Sequence, residues 1–145
     1  MDWKIVAISD LKKYNELLVA RHNLQDKIKQ LEDDSVALRS ALGNTDEISR
    51  SGSGNNDKIL NNIAMREKLA DNLAAIKPLI TRIESGLNIL TADEYLAIRI
   101  KYIDARKNAM DEITRQIGYE KRNAYRILNS ALLRFTRATY GVTDL

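Results

Sequence analysis

The chain has no cysteine and a single histidine among its 145 residues. Without a thiol it can form no disulfide, no thiolate metal site and no cysteine nucleophile. One histidine, His22, is too few for a nuclease or a metal site that uses several imidazoles. Only one proline and six glycines are present, and this scarcity of helix breakers favours long uninterrupted helices.

Long hydrophobic runs are also missing. The longest run without a charged residue, 85–92, has eight residues, whereas a membrane-spanning helix needs about 20. The opening segment MDWKIVAISD has neither the basic start nor the apolar core of a signal peptide. We therefore expect a cytoplasmic protein without membrane contact.

The net charge of +3 is unevenly distributed. Up to residue 91, 13 basic residues balance 13 acidic ones, and from residue 92 onward ten basic residues face seven acidic ones. The whole positive excess thus lies in the last third of the chain, which is where we expect a polyanionic partner to bind.

A heptad pattern runs through the first third of the chain. Tyr14, Ile28 and Leu42 follow one seam, although Arg21 and Ser35 also fall on it. Such a pattern predicts a long helix, over 9–42, that packs against another helix. The other seam consists of Leu17, Leu24, Leu31 and Leu38.

Two further segments complete the first part of the chain. The polar stretch GNTDEISRSGSGNNDK, 43–58, is expected to be a flexible linker, and a second heptad helix is predicted at 57–88. We interpret 1–90 as a coiled-coil-like helical hairpin. The heptad seams of its two helices carry more apolar side chains than a single hairpin needs for its own packing. This region is therefore also expected to form a homo-oligomer.

The remaining part, 91–145, is predicted to contain three helices, which makes the whole fold all-α. The sequence TADE at 91–94 is a capping box that begins the first of them. Helices at 109–117 and 121–140 flank Gly118, which stands where the chain needs a positive φ. A short helix, a glycine turn and a longer helix predict a helix-turn-helix. Its inward side chains are expected to be Ile113, Ile117, Tyr119, Ala124, Ile127 and Leu128.

The opposite side of the last helix is outward and basic. Arginine pairs with guanine and asparagine with adenine in the major groove, and this face offers both residue types. The alternative is a solvated basic face on an ordinary bundle helix. The residues predicted to face DNA on this helix are Lys121, Arg122, Asn123, Tyr125, Arg126 and Asn129. Those predicted to contact phosphates are Arg115, Gln116, Arg106, Lys107 and Asn108, together with Arg134 and Arg137 near the end of the chain.

Residues 94–132, EYLAIRIKYIDARKNAMDEITRQIGYEKRNAYRILNSAL, resemble the C-terminal module of Gram-positive phage regulators of the ArpU and RinA type. That module is itself similar to region 4 of bacterial sigma factors. The motifs KYID, DEITRQIGY, AYRI and the trailing AL carry the resemblance. Met110 stands where many relatives carry Trp, and Glu120 where they usually carry Ser. The resemblance implies an activator that binds double-stranded DNA in the bacterial host cell and switches on late phage genes for packaging and lysis.

A protein-interaction module is the alternative function. In that interpretation the helical hairpin binds a host or phage protein such as RNA polymerase. Adjacent acids such as Asp111 and Glu112 point about 100° apart on a helix and do not converge on a substrate. We therefore expect no catalytic site, no metal and no cofactor, and we do not expect an enzyme.

Overall fold

The computed structural model describes residues 1–43, 48–118 and 120–145, and the side chains of 42–55 are not described. These residues form five helices and no strand, so the all-α prediction is confirmed. A π-helical turn, Arg99–Ile103, continues the third helix. The helices are α1 (Trp3–Gly43), α2 (Ile48–Asn88), α3 (Ala92–Ile98), α4 (Ala109–Ile117) and α5 (Lys121–Tyr140). None of them, within the described ranges, is long and apolar enough to span a membrane.

Helix α2 begins earlier than the sequence predicts. Its first residue is Ile48, so most of the segment expected to be a flexible linker, 43–58, has a helical backbone. Residues 44–47 lie outside the described residues. Glycine, serine and asparagine lower helix propensity by up to about 1 kcal/mol each. A helix that is already nucleated can still extend through them, because propagation avoids the cost of nucleation.

The chain divides into two compact units, and the division differs from the predicted boundary at residue 90. Unit 1 contains Met1–Leu18 and Pro78–Leu145, and unit 2 contains Val19–Lys77. Both ends of the hairpin sequence thus belong with the helix-turn-helix. The two ends belong to unit 1 because Leu11 of α1 and Leu87 of α2 are buried in the same apolar core as Phe135 of α5.

The core of unit 1 contains most of the inward side chains expected from the sequence. Ile113 and Ala124 are fully buried, and Leu128 is nearly so. Ile117 and Ile127 pack partly buried against the same core, while the side chain of Tyr119 lies outside the described residues. The inward face of the helix-turn-helix is therefore confirmed at these five positions.

Unit 2 consists of the remaining parts of α1 and α2. Helix α2 runs antiparallel to α1, because Tyr14 contacts Glu84 whereas Leu31, further along α1, contacts Asn62, nearer the start of α2. Asn62 Nδ2 donates a hydrogen bond of 2.8 Å to the Leu31 carbonyl oxygen, and Arg66 donates to Ser35 Oγ at 3.5 Å. Among its described side chains, only Ser35 and Asn62 are buried, and no hydrophobic side chain is.

Gly86 of α2 lies against α5 within unit 1. A Cβ atom at this position would lie 2.0 Å from Thr139 Oγ1 and 2.9 Å from two ring carbons of Phe135. Phe135 is fully buried, so its ring has little room to move aside. The two helices can therefore pack at this distance only because residue 86 has no side chain.

We predict that Gly86→Ala destabilises the protein, although alanine favours a helix by about 1 kcal/mol over glycine. The overpacking should outweigh that gain, since inserting a methyl group into a tight core costs roughly 1–3 kcal/mol. Thermal unfolding followed by circular dichroism measures the difference. Thr81→Ala, at an exposed position of the same helix, is the control and should not lower the melting temperature. A higher melting temperature for Gly86→Ala would contradict the packing described.

Candidate nucleic-acid interface

The turn between α4 and α5 is built on Gly118. This residue has φ +79° and ψ +17°, and its backbone N–H donates a hydrogen bond of 2.9 Å to the Thr114 carbonyl. A Cβ atom at residue 118 would meet no other atom within 4 Å. Glycine is therefore required by the left-handed backbone and not by lack of space. The hydroxyl of Thr114 is satisfied within α4, where it donates to the Met110 carbonyl at 2.8 Å.

The six residues predicted to face DNA lie together on the exposed side of α5. Tyr125 is 47% exposed, and the other five are also exposed, whereas Ala124 and Leu128 on the opposite side are buried. Glu120 precedes the helix without a side-chain capping hydrogen bond. The exposed set is Lys121, Arg122, Asn123, Tyr125, Arg126 and Asn129.

Five of the residues predicted to contact phosphates lie before and at the end of α4, and all five are exposed. The loop that carries the first three is turned by two residues with positive φ, Ala105 at 47° and Asn108 at 54°. Asn108 occupies the N-cap position of α4 but makes no side-chain capping hydrogen bond. The set is Arg106, Lys107, Asn108, Arg115 and Gln116.

Two acidic residues of α4 pair with basic residues of this region. Glu112 accepts a hydrogen bond from Arg115 and a second one, of 2.6 Å, from Gln116 Nε2. Its Oε1 atom also lies 3.5 Å from Arg106 Nη1. Asp111 Oδ1 lies 3.7 Å from Lys121 Nζ. The hydrogen bonds from Arg115 and Gln116 hold the pKa of Glu112 below its ordinary value.

These pairings divide the predicted DNA-contacting cations into two groups. Lys121, Arg115 and Arg106 each have an acidic partner. Arg122, Arg126 and Lys107 pair with no acidic side chain in the described ranges of the chain. The sequence alone does not predict which of these cations have an acidic partner. The spacing from Glu112 to Arg115 and Gln116 is visible in the sequence, but the approach of Arg106 depends on the path of the 104–108 loop.

A nearly buried carboxylate fixes α5 from its other side. Glu94 forms the predicted capping box, in which Glu94 N donates to Thr91 Oγ1 at 3.2 Å and Thr91 N donates to Glu94 Oε1 at 3.1 Å. Arg134 of α5 forms an ion pair with Glu94 and donates a hydrogen bond of 3.0 Å to the Ile89 carbonyl. Ser130 Oγ also lies 3.5 Å from the carboxylate.

The expectation that Arg134 contacts phosphate stays a prediction, and the structure gives this residue a contact within the fold as well. Its guanidinium joins the end of α2 and the start of α3 to the middle of α5, and the Glu94 side chain that it covers is only 9% exposed. Arg137, one turn further along α5, is exposed and has no acidic partner among the described residues. The capping box was readable from local spacing, but the arginine that reaches it comes from 40 residues away.

Compared with protein-family models, with curated proteins and with solved structures, the chain gives no significant match. The resemblance to ArpU- and RinA-type regulators accordingly remains a prediction that depends on its sequence motifs. Within the described residues, no group of three or more histidine, aspartate or glutamate side chains is arranged to hold a metal ion.

We predict that Arg134→Ala destabilises unit 1, because it leaves the nearly buried Glu94 carboxylate without its cation. Removing one partner of a buried polar pair costs roughly 1–3 kcal/mol. Arg137→Ala removes the same charge from an exposed site and should have little effect on the melting temperature. Equal melting temperatures for the two variants would show that the Glu94–Arg134 contact does not stabilise the fold.

Proposed function

We propose that this chain is a sequence-specific, double-stranded DNA-binding transcription activator of phage late genes, of the ArpU and RinA type. The observation that carries the proposal is the exposed N-terminal face of α5, which follows the Gly118 turn. It bears two arginines, Arg122 and Arg126, that have no acidic partner among the residues the structure describes. The protein would act in the cytoplasm of the bacterial host cell, with no catalytic role and no cofactor.

The chemistry of this face fits the major groove. An α-helix enters the groove with its first turns closest to the base edges. Arg122 and Arg126 lie one turn apart at that end of α5, and each guanidinium can bind guanine with two parallel hydrogen bonds. Asn123 and Asn129 supply amides that can recognise adenine. The flanking residues before α4 and at its end would contact phosphates and set the register of the helix on DNA.

The double variant Arg122→Ala/Arg126→Ala tests this proposal. A duplex is first selected from a random-sequence library with the unaltered protein, and binding is then measured by fluorescence anisotropy at two salt concentrations. We expect each substitution to cost roughly 1–3 kcal/mol on the selected duplex and to relax base preference. The reason is that the lost hydrogen bonds are specific for bases.

A matched control separates base recognition from net charge. Lys12→Ala/Lys13→Ala removes two positive charges from exposed positions of α1 and should leave binding to the selected duplex nearly unchanged. Failure of the selection to enrich any sequence would refute sequence-specific binding. Equal losses for the two double variants would show that α5 contributes only charge.

The open face of unit 2 favours protein interaction as a second function, and we propose a second copy of the chain as the partner. A groove of about 670 Å³ lies between α1 and α2. Leu60 and Met65 are 62% and 47% exposed, and no hydrophobic side chain described in this unit is buried. The groove is lined by Lys27, Leu31, Asp34, Ala37, Leu38, Ala41, Lys58, Asn61, Asn62 and Met65.

The size and periodicity of this face suit self-association. A helix of about 25 residues is roughly 37 Å long, and two helices side by side present a face about 20 Å wide. Such a face offers close to 800 Å² per copy, which is the standard size of a stable interface. A second hairpin with the same seven-residue spacing would complete a four-helix bundle. Binding of RNA polymerase to this face is the competing outcome.

We predict that Met65→Glu converts an oligomer into a monomer of 16.5 kDa, because it places a charge in the apolar groove. Ala64→Glu adds the same charge at the neighbouring exposed position, outside the groove lining, and should remain oligomeric. Multi-angle light scattering across the micromolar range measures the mass. An unaltered protein that is monomeric throughout would refute self-association and would leave another protein as the partner of the groove.

A further inference from the structure

Glu112 is contacted by three of the side chains predicted to contact DNA phosphates. Its two carboxylate oxygens receive Arg115, Gln116 and Arg106. The Glu112 side chain is 18% exposed, whereas the side chains of Arg115 and Arg106 are 74% and 51% exposed. The donors thus cover the carboxylate on one side and present their other side to solvent.

Carboxylate and phosphate oxygens are interchangeable partners for these donors. A guanidinium binds either group through parallel N–H donors, and a glutamine amide can donate to either. Glu112 therefore accepts the hydrogen bonds that a phosphate of bound DNA would accept from the same side chains. Asp111 stands in the same relation to Lys121, whose ammonium group lies 3.7 Å from it.

The acidic residues do not neutralise the surface uniformly. They pair with Arg106, Arg115 and Lys121. In the described ranges they leave Lys107, and Arg122 and Arg126 on the exposed face of α5, without acidic partners. Sequence-independent DNA binding comes almost entirely from cations that neutralise phosphates. Base recognition depends instead on directional hydrogen bonds in the groove. A counter-charge on the phosphate-contacting cations thus weakens binding to any DNA and leaves base recognition intact.

We propose that Glu112, assisted by Asp111, is a built-in phosphate substitute that suppresses sequence-independent DNA binding and so sets the specificity of the protein. The inference rests on the proposed DNA-binding function. DNA binding then includes an exchange, in which Arg115, Arg106 and Gln116 leave the carboxylate for a phosphate. Arg115, Arg106 and Gln116 have an acceptor both in the free protein and on DNA, so the exchange is reversible and costs little free energy. It becomes more favourable as the salt concentration falls.

The test compares Glu112→Gln with Glu67→Gln on a duplex of random sequence. Both changes remove one negative charge, but Glu67 lies exposed on α2 with no acidic or basic partner among the described residues. Anisotropy titrations at several salt concentrations give the affinity and its salt dependence. Each additional phosphate contact steepens the logarithmic salt slope by about 0.9. We expect Glu112→Gln to steepen the slope by about one to two units and to tighten random-duplex binding roughly five- to tenfold near physiological salt.

A second variant tests which side chain makes the additional phosphate contact. Glu112→Gln/Arg115→Ala should lose most of the increase, because the released arginine is the source of the new phosphate contact. Heparin, a polyanion without bases, should give the same result. Glu112→Gln should elute from it at a higher salt concentration than Glu67→Gln or Glu112→Gln/Arg115→Ala. Thermal melts of all variants establish that they are folded.

The outcomes separate this inference from the function on which it rests. If the unaltered protein binds a selected duplex but Glu112→Gln matches Glu67→Gln on random DNA and on heparin, the inference is wrong and the proposed function stands. Weaker binding by Glu112→Gln would equally overturn the inference, because Glu112 would then support binding. If no variant binds any duplex, both proposals fail.

Discussion

The ring of Phe135 packs against α2 at Gly86, and the placement of the candidate interface depends on this contact. Helix α5 is 20 residues long, or about 30 Å, and its C-terminal half is fixed in the core of unit 1. Its N-terminal half extends to the Gly118 turn, where only one side is covered by α4. One helix therefore supplies both the central core side chain and the exposed basic face.

The same pair of chemical groups, carboxylate and guanidinium, has two different roles in unit 1. Glu94 and Arg134 pair where the carboxylate is almost excluded from water, and separating them would leave a charge uncompensated. Glu112 and its arginines pair at the surface, where water can replace either partner and an ion pair contributes little to stability. The first pair holds α5 against the start of α3. The second pair leaves its arginines able to change partners, and this difference in burial distinguishes a structural contact from an exchangeable one.

Sequence reasoning succeeded where the determinant was local. The spacing of Ile113 and Ile117, the TADE capping box and the glycine before α5 each depend on residues within one or two turns, and the structure contains all three. It did not find Gly86, whose importance comes from Phe135 and Thr139 on another helix, or the role of Arg134, whose partner lies across the unit. Composition predicts too late a start for α2, because it does not reflect the cooperativity of helix extension. The exposed residues of α5 were identified correctly as a surface, but which of their charges are already paired follows only from the three-dimensional arrangement.

The first 18 residues and the last helix share one core, and this has a consequence for synthesis of the chain. Proteins emerge from the ribosome beginning at the N-terminus, and domains fold once their residues are available. Leu11 leaves the ribosome more than 100 residues ahead of Phe135, which packs in the same core. The apolar side of α1 must therefore remain without its final partners until α5 has been made. Until α5 emerges, a nascent chain of this protein would depend on chaperones or on a transient pairing of α1 with α2 alone.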